Sequence, residues 1–168
     1  AISLGDVGAA ADEFRPVFDK LGGWEGFVSL EVSPHLAHDA AGTVAEGRRL
    51  WKALDRPNVL IKVPATASGV SAIRQLISEG ISVNVTLLFG LTRYREAAEA
   101  YLSGLEALAA KRRPLKPVTS VASFFVSRID SDVDPLLARA AREGGERGEA
   151  AKALIGRTAV ASARAAYA

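Results

Sequence analysis

A chain of 168 residues, 49% hydrophobic and 24% charged, has the apolar material for one ordinary domain and too much of it for disorder, yet it falls short of the roughly 200 to 250 residues usual for a closed α/β barrel. A net charge of +2, from 21 basic against 19 acidic residues, is too small and too dispersed for a nucleic-acid or polyanion partner. The absence of cysteine excludes disulfides, thiolate catalysis and cysteine-held metals; with no apolar run of about 18 residues and no basic-then-apolar leader, the expectation is a soluble, cytoplasmic protein that engages no membrane.

In chain order, a first helix is predicted from about Leu4 to Leu21, ending at Gly22-Gly23, a pair suited to the left-handed turn that closes many helices. A β-rich run follows at Gly26 to Val32 (GFVSLEV), then helical spacing of Val44, Leu50, Trp51 and Leu54. The second run is Asn58 to Pro64 (NVLIKVP); after it Val70, Ile73, Leu76 and Ile77 mark a helix stopped at Gly80. Ile81 to Leu88 (ISVNVTLL) is the third run, followed by Tyr94, Ala97, Ala98, Tyr101, Leu102 and Leu105 at helical spacing, and Val118 to Val126 (VTSVASFFV) is the fourth. Connections this long between strands require crossovers, so the strands pair in parallel and the fold class is α/β, a single domain over residues 1–168. The tail predicts two Ala-rich helices, Val133 to Ala141 and Ala150 to Ala166, around a short glycine-rich loop with a solvated charged face.

Polar residues near the ends of these runs carry the functional signal. A buried parallel strand is apolar on both faces, yet Ser29 and Glu31 share a face of the first run, Lys62 interrupts the second, Asn84 and Thr86 share a face of the third, and Ser123 interrupts the fourth. Ligands of parallel α/β folds gather at the carboxyl ends of the strands, where these residues fall. An amine desolvated by Ile61, Val63 and Pro64 would have a lowered pKa and attack a carbonyl to form a Schiff base; equally, Lys62 could be a structural partner of Glu31. Glu31 is either a proton shuttle through water or that counter-ion. Asn84 and Thr86 either hold a reacting hydroxyl and a water or close a polar core layer.

Taken together, EVSP at Glu31 to Pro34, NVLIKVPAT at Asn58 to Thr66, GISVNVTLLF at Gly80 to Phe89 and SVASFFVSRID at Ser120 to Asp130 resemble the transaldolase family in its long actinobacterial form, in order and in spacing. The resemblance implies a TIM (β/α)8 barrel, here an incomplete one of about four strands. It implies transfer of a dihydroxyacetone unit between sugar phosphates through a lysine Schiff base, in the pentose phosphate pathway, with no cofactor or metal. Lys62 then resembles the Schiff-base lysine, Glu31 the carboxylate that activates the catalytic water and Thr86 the residue that helps hold it. Asn84 resembles the amide on the substrate hydroxyls; Ser123 and Arg128 fall where the family binds phosphate, and Phe125 where an aromatic lines the pocket. Thr66, beside the lysine strand, is a further candidate. The family's first strands, with an acid-base aspartate and an asparagine, and its last two strands have no counterpart in these residues. An inactive half-barrel that binds sugar phosphate and a Schiff-base aldolase are the alternatives. Open sheet edges imply a homodimer or association with the missing barrel segments.

Other residues have structural readings. His35 and His38 lack a third ligand for a metal. Trp24 and Trp51 are expected to be packing anchors, and Lys111-Arg112-Arg113 a solvated connection. Asp6, Asp12 and Asp39 are expected on solvated helices or loops. Nucleotide binding has no motif to support it.

Overall fold

The computed structural model describes residues 2–168. Its elements run α1 (Ile2–Lys20), β1 (Val28–Glu31), α2 (Ala40–Leu54), β2 (Val59–Pro64), α3 (Ala67–Ser78), β3 (Val83–Leu88), α4 (Leu91–Ala110), β4 (Ser120–Phe124), α5 (Ser127–Arg142), α6 (Gly145–Leu154) and α7 (Thr158–Tyr167), with a 3-10 turn at Pro34–Leu36 after β1. The four strands form one sheet in the order β1-β2-β3-β4, every neighbouring pair parallel, with a helix between each strand and the next. This is the expected α/β architecture, consistent with half of a TIM barrel.

Alternation along the strands divides the sheet into two chemically different faces. Val59, Ile61 and Val63 of β2 and Val83 and Val85 of β3 enter one core with Leu50 and Leu54 of α2, Ile73, Leu76 and Ile77 of α3 and Leu108 of α4. Leu60, Lys62, Asn84 and Thr86, the alternate residues, belong to the other face. Contact between α3 and α4 is close enough that only glycine fits at Gly104, since an added Cβ would lie 2.7 Å from Cβ of Ile77.

Polar side chains fasten the helices at their ends. Buried Asn58 donates through Nδ2 to the carbonyls of Ala11 (2.8 Å) and Gly26 (3.0 Å), tying α1 to the entrance of β1. Arg56 grips Asp12 with two bonds of 2.7 Å, and its guanidinium holds the Asp12 carboxyl below the usual aspartate range. Asp39 caps α2 by accepting from the amide of Gly42.

Several expectations change. The strands are shorter than the runs that mark them, because pairing ends before β-prone composition does. Gly22, Gly23 and Gly80 do take left-handed backbones, with φ of 62°, 86° and 84°. Trp24 is no packing anchor: with Gly22, Gly23 and Gly26 all at positive φ, the loop turns it outward and leaves it 86% exposed, whereas Trp51 packs against the core. The basic run is more than a solvated connection, since Lys111 Nζ donates to the carbonyl of Ser78 and Arg113 to that of Glu79, placing cations at the negative end of α3. Three helices, not two, fill the tail. α5 starts at Ser127, and Gly156, at φ 71°, separates α6 from α7. Asp130 of α5 accepts from the amide of Ala159 in the first turn of α7, and Asp134 from the amide of Gly156 in the turn before it. Among the described residues, no helix is long and apolar enough to cross a membrane.

Candidate active site

Strand register brings the polar residues of three strands into one row. Glu31 pairs with Lys62, and Lys62 with Asn84, as directly opposed residues of adjacent parallel strands, so their side chains leave the sheet side by side on the face turned away from the core. Lys62 Nζ lies 3.6 Å from Glu31 Oε2, with the two side chains 31% and 46% exposed. At that separation the pair attracts without a tight hydrogen bond, and the amine keeps room for a ligand.

Desolvation of Lys62 by Ile61 and Val63 is not what the structure shows. Period two sends those neighbours into the helix-facing core, so Lys62 shares its face with Leu60, Pro64, Glu31 and Asn84 and stays a third exposed. The environment of the amine is polar on both flanks.

Asn84 is held from two sides: Ser123 Oγ donates to its Oδ1 at 2.8 Å, and its Nδ2 donates to Ser29 Oγ at 3.1 Å. Thr86, one repeat further along β3, is 1% exposed, and its hydroxyl has no partner among the described residues. A buried hydroxyl without a partner costs about 1–3 kcal/mol, so Thr86 is suited to hold a water.

Just beyond Thr86 the strand breaks step. Val85 pairs with Ala122 and Leu88 with Phe124, three steps on β3 against two on β4, and the extra residue, Leu87, takes a left-handed φ of 58°. The bulge returns Leu88 to the core and leaves Leu87 exposed, where strict alternation would reverse them. After it, Phe89 meets Phe125 with ring centroids 5.0 Å apart, and the Arg128 guanidinium carbon lies 4.8 Å over the centre of Phe125. Arg128 sits in the first turn of α5, which has no side-chain cap, so a cation and open amides point to the same end of the sheet.

Every sequence-derived candidate except Thr66 thus lies on the inner face or at its carboxyl rim. Thr66 is structural, because its hydroxyl accepts from the amide of Gly69 and donates to the carbonyl of Ala37, capping α3. Sequence reasoning missed Phe89 and the Leu87 bulge. Phe89 directly follows the third run's last apolar pair, Leu87-Leu88, but an extra residue in one strand leaves no signature in periodicity. Among the described residues no group of three His, Cys, Asp or Glu stands close enough to hold a metal.

A parallel sheet with helices on one face, and a lysine, a carboxylate, an amide and three hydroxyls on the other, beside an arginine, is part of a β/α barrel with a polar centre at its carboxyl mouth. The family profile described as Transaldolase/Fructose-6-phosphate aldolase matches residues 1–168, and the chain belongs to that family. It is 52% identical over 166 residues to Transaldolase 1 of Streptomyces avermitilis, and 52% over 167 residues to the Transaldolase of Thermobifida fusca. Transaldolase 1 of Streptomyces coelicolor is 53% identical over 166 residues. Each alignment covers 99% of this chain but only 42%, 44% and 42% of those relatives respectively, so the chain spans less than half their length.

Proposed function

We propose that this chain carries the Schiff-base centre of a transaldolase, which moves a dihydroxyacetone unit from sedoheptulose 7-phosphate to glyceraldehyde 3-phosphate, giving erythrose 4-phosphate and fructose 6-phosphate in the pentose phosphate pathway. The observation that carries this reading is the row Glu31, Lys62, Asn84, which sets an accessible amine between a carboxylate and an amide.

In this mechanism neutral Lys62 Nζ adds to the C2 ketone, and the carbinolamine hydroxyl leaves as water after gaining a proton, forming the imine. The C4 hydroxyl then loses its proton, the C3–C4 bond breaks, and its electrons flow into the imine; erythrose 4-phosphate departs and an enamine remains. The enamine carbon attacks the aldehyde of glyceraldehyde 3-phosphate, whose oxygen takes up a proton, and water returns to release fructose 6-phosphate. Glu31 gives and takes protons through a water held by the Thr86 hydroxyl, while Asn84 and Ser123 meet substrate oxygens. Arg128 and the open amides of α5 bind the phosphate; Phe125 supports the guanidinium. The lysine imine itself supplies the electron sink, so the scheme needs neither cofactor nor metal.

Glu31 is the one carboxylate that the four strands carry. The acid-base aspartate that the family resemblance implies has no match here, so these residues alone should turn over about 10²- to 10⁴-fold more slowly than a site with both groups. Charged sugar phosphates do not cross membranes unaided, which fits a cytoplasmic site of action. Because the family description also includes fructose-6-phosphate aldolase, product analysis is the deciding test. With fructose 6-phosphate and erythrose 4-phosphate, transfer yields sedoheptulose 7-phosphate. Free dihydroxyacetone at the same rate with and without acceptor would mean cleavage instead.

A further inference from the structure

We infer that Ser29 is a positioning residue that holds Asn84 in one orientation beside Lys62, an inference that rests on the reading of Lys62 as the Schiff-base lysine. Ser29 belongs to β1 and Asn84 to β3, so the 3.1 Å bond between their side chains must pass over β2. Ser29 is opposed to Leu60 and Asn84 to Lys62, so the bond runs diagonally between those two side chains. With the Ser123 hydroxyl on Asn84 Oδ1, one hydrogen-bonded belt crosses all four strands of the inner face. Leu60 lies on this face but is only 2% exposed, as a residue beneath such a belt would be.

The belt decides what Asn84 offers a ligand. Its carboxamide has two N–H donors and one carbonyl oxygen. Ser29 takes one N–H and Ser123 supplies a proton to the oxygen, so the remaining N–H is the donor left beside Lys62. A donor there recognises an oxygen, such as a hydroxyl on the carbon next to the one that Lys62 attacks. The terminal torsion of asparagine is broad and nearly two-fold, so Ser123 alone leaves the amide free to swing or flip. Ser29 removes that freedom.

The test compares wild-type protein with S29A and S29T. One measurement follows the two side-chain amide proton signals of Asn84 by NMR. The other is the rate of borohydride trapping with dihydroxyacetone and with acetone, which lacks the adjacent hydroxyls. In S29A one Asn84 amide proton should shift and exchange faster with solvent. Trapping of dihydroxyacetone should slow by about fivefold, as for one lost neutral hydrogen bond, while acetone trapping stays within about twofold. S29T, which keeps the hydroxyl, should restore both signals and rate. Unchanged Asn84 signals in S29A, or equal slowing with both ketones, would overturn the inference. If wild-type protein traps neither ketone, the reading of Lys62 fails separately, and the amide signals alone decide the role of Ser29.

Discussion

The guanidinium carbon of Arg128 lies 4.8 Å over the centre of Phe125, and its five N–H donors suit an anion bound beside it. It stands in an uncapped first helical turn, where backbone amides and the helix dipole favour the same negative charge. If this is the phosphate subsite, R128A should raise the concentration for half-maximal Schiff-base trapping by about 10-fold or more for fructose 6-phosphate, the loss of a charge-assisted pair. For dihydroxyacetone, which has no phosphate, it should change little. Equal effects on both compounds would remove Arg128 from that role. The placement of the candidate residues was legible, because polar residues inside apolar strands carry their own signal: Glu31, Lys62, Asn84, Thr86 and Ser123 all stand on the inner face. The solvation of Lys62 was not legible from its chain neighbours, since in a strand the residues that flank a side chain in sequence point to the opposite face.

At the scale of elements, the sheet takes its shape from helix packing behind it. Gly104 lets α4 lie against α3, where an added methyl carbon would meet Ile77 at 2.7 Å and the carbonyl oxygen of Arg74 at 2.8 Å. Alanine has the higher helix propensity, by about 1 kcal/mol in an open helix, but here overpacking outweighs it. G104A should therefore destabilise the protein by about 1–3 kcal/mol in urea unfolding, and a variant as stable as wild type would mean that the two helices are free to separate. The strands and the first four helices follow from hydrophobic period and glycine stops. The start of α5 did not, because Ser127 to Asp132 is polar apart from Ile129, so the Ala-rich segment alone carried the pattern. The bonds that Asp130 and Asp134 accept from Ala159 and Gly156 join residues more than twenty positions apart, a relation that local spacing does not encode.

Across the whole molecule, β1 and β4 are the outer strands of the sheet, each with one edge unpaired among the described residues. Val121 of β4 and Val126 just after it are exposed, and unpaired strand edges template further strand pairing. A sample of this chain alone should associate, and light scattering should report a mass at least twice 17.6 kDa; a stable mass of 17.6 kDa would show that the edges are self-sufficient.

If Lys62 is the nucleophile of a Schiff-base transaldolase, borohydride in the presence of fructose 6-phosphate traps it covalently, and peptide mapping locates the adduct. A reduced dihydroxyacetone adduct should appear on the peptide containing Lys62, and none in K62A, with the far-ultraviolet circular dichroism of that variant unchanged. An adduct on any other lysine, or undiminished trapping in K62A, would contradict it.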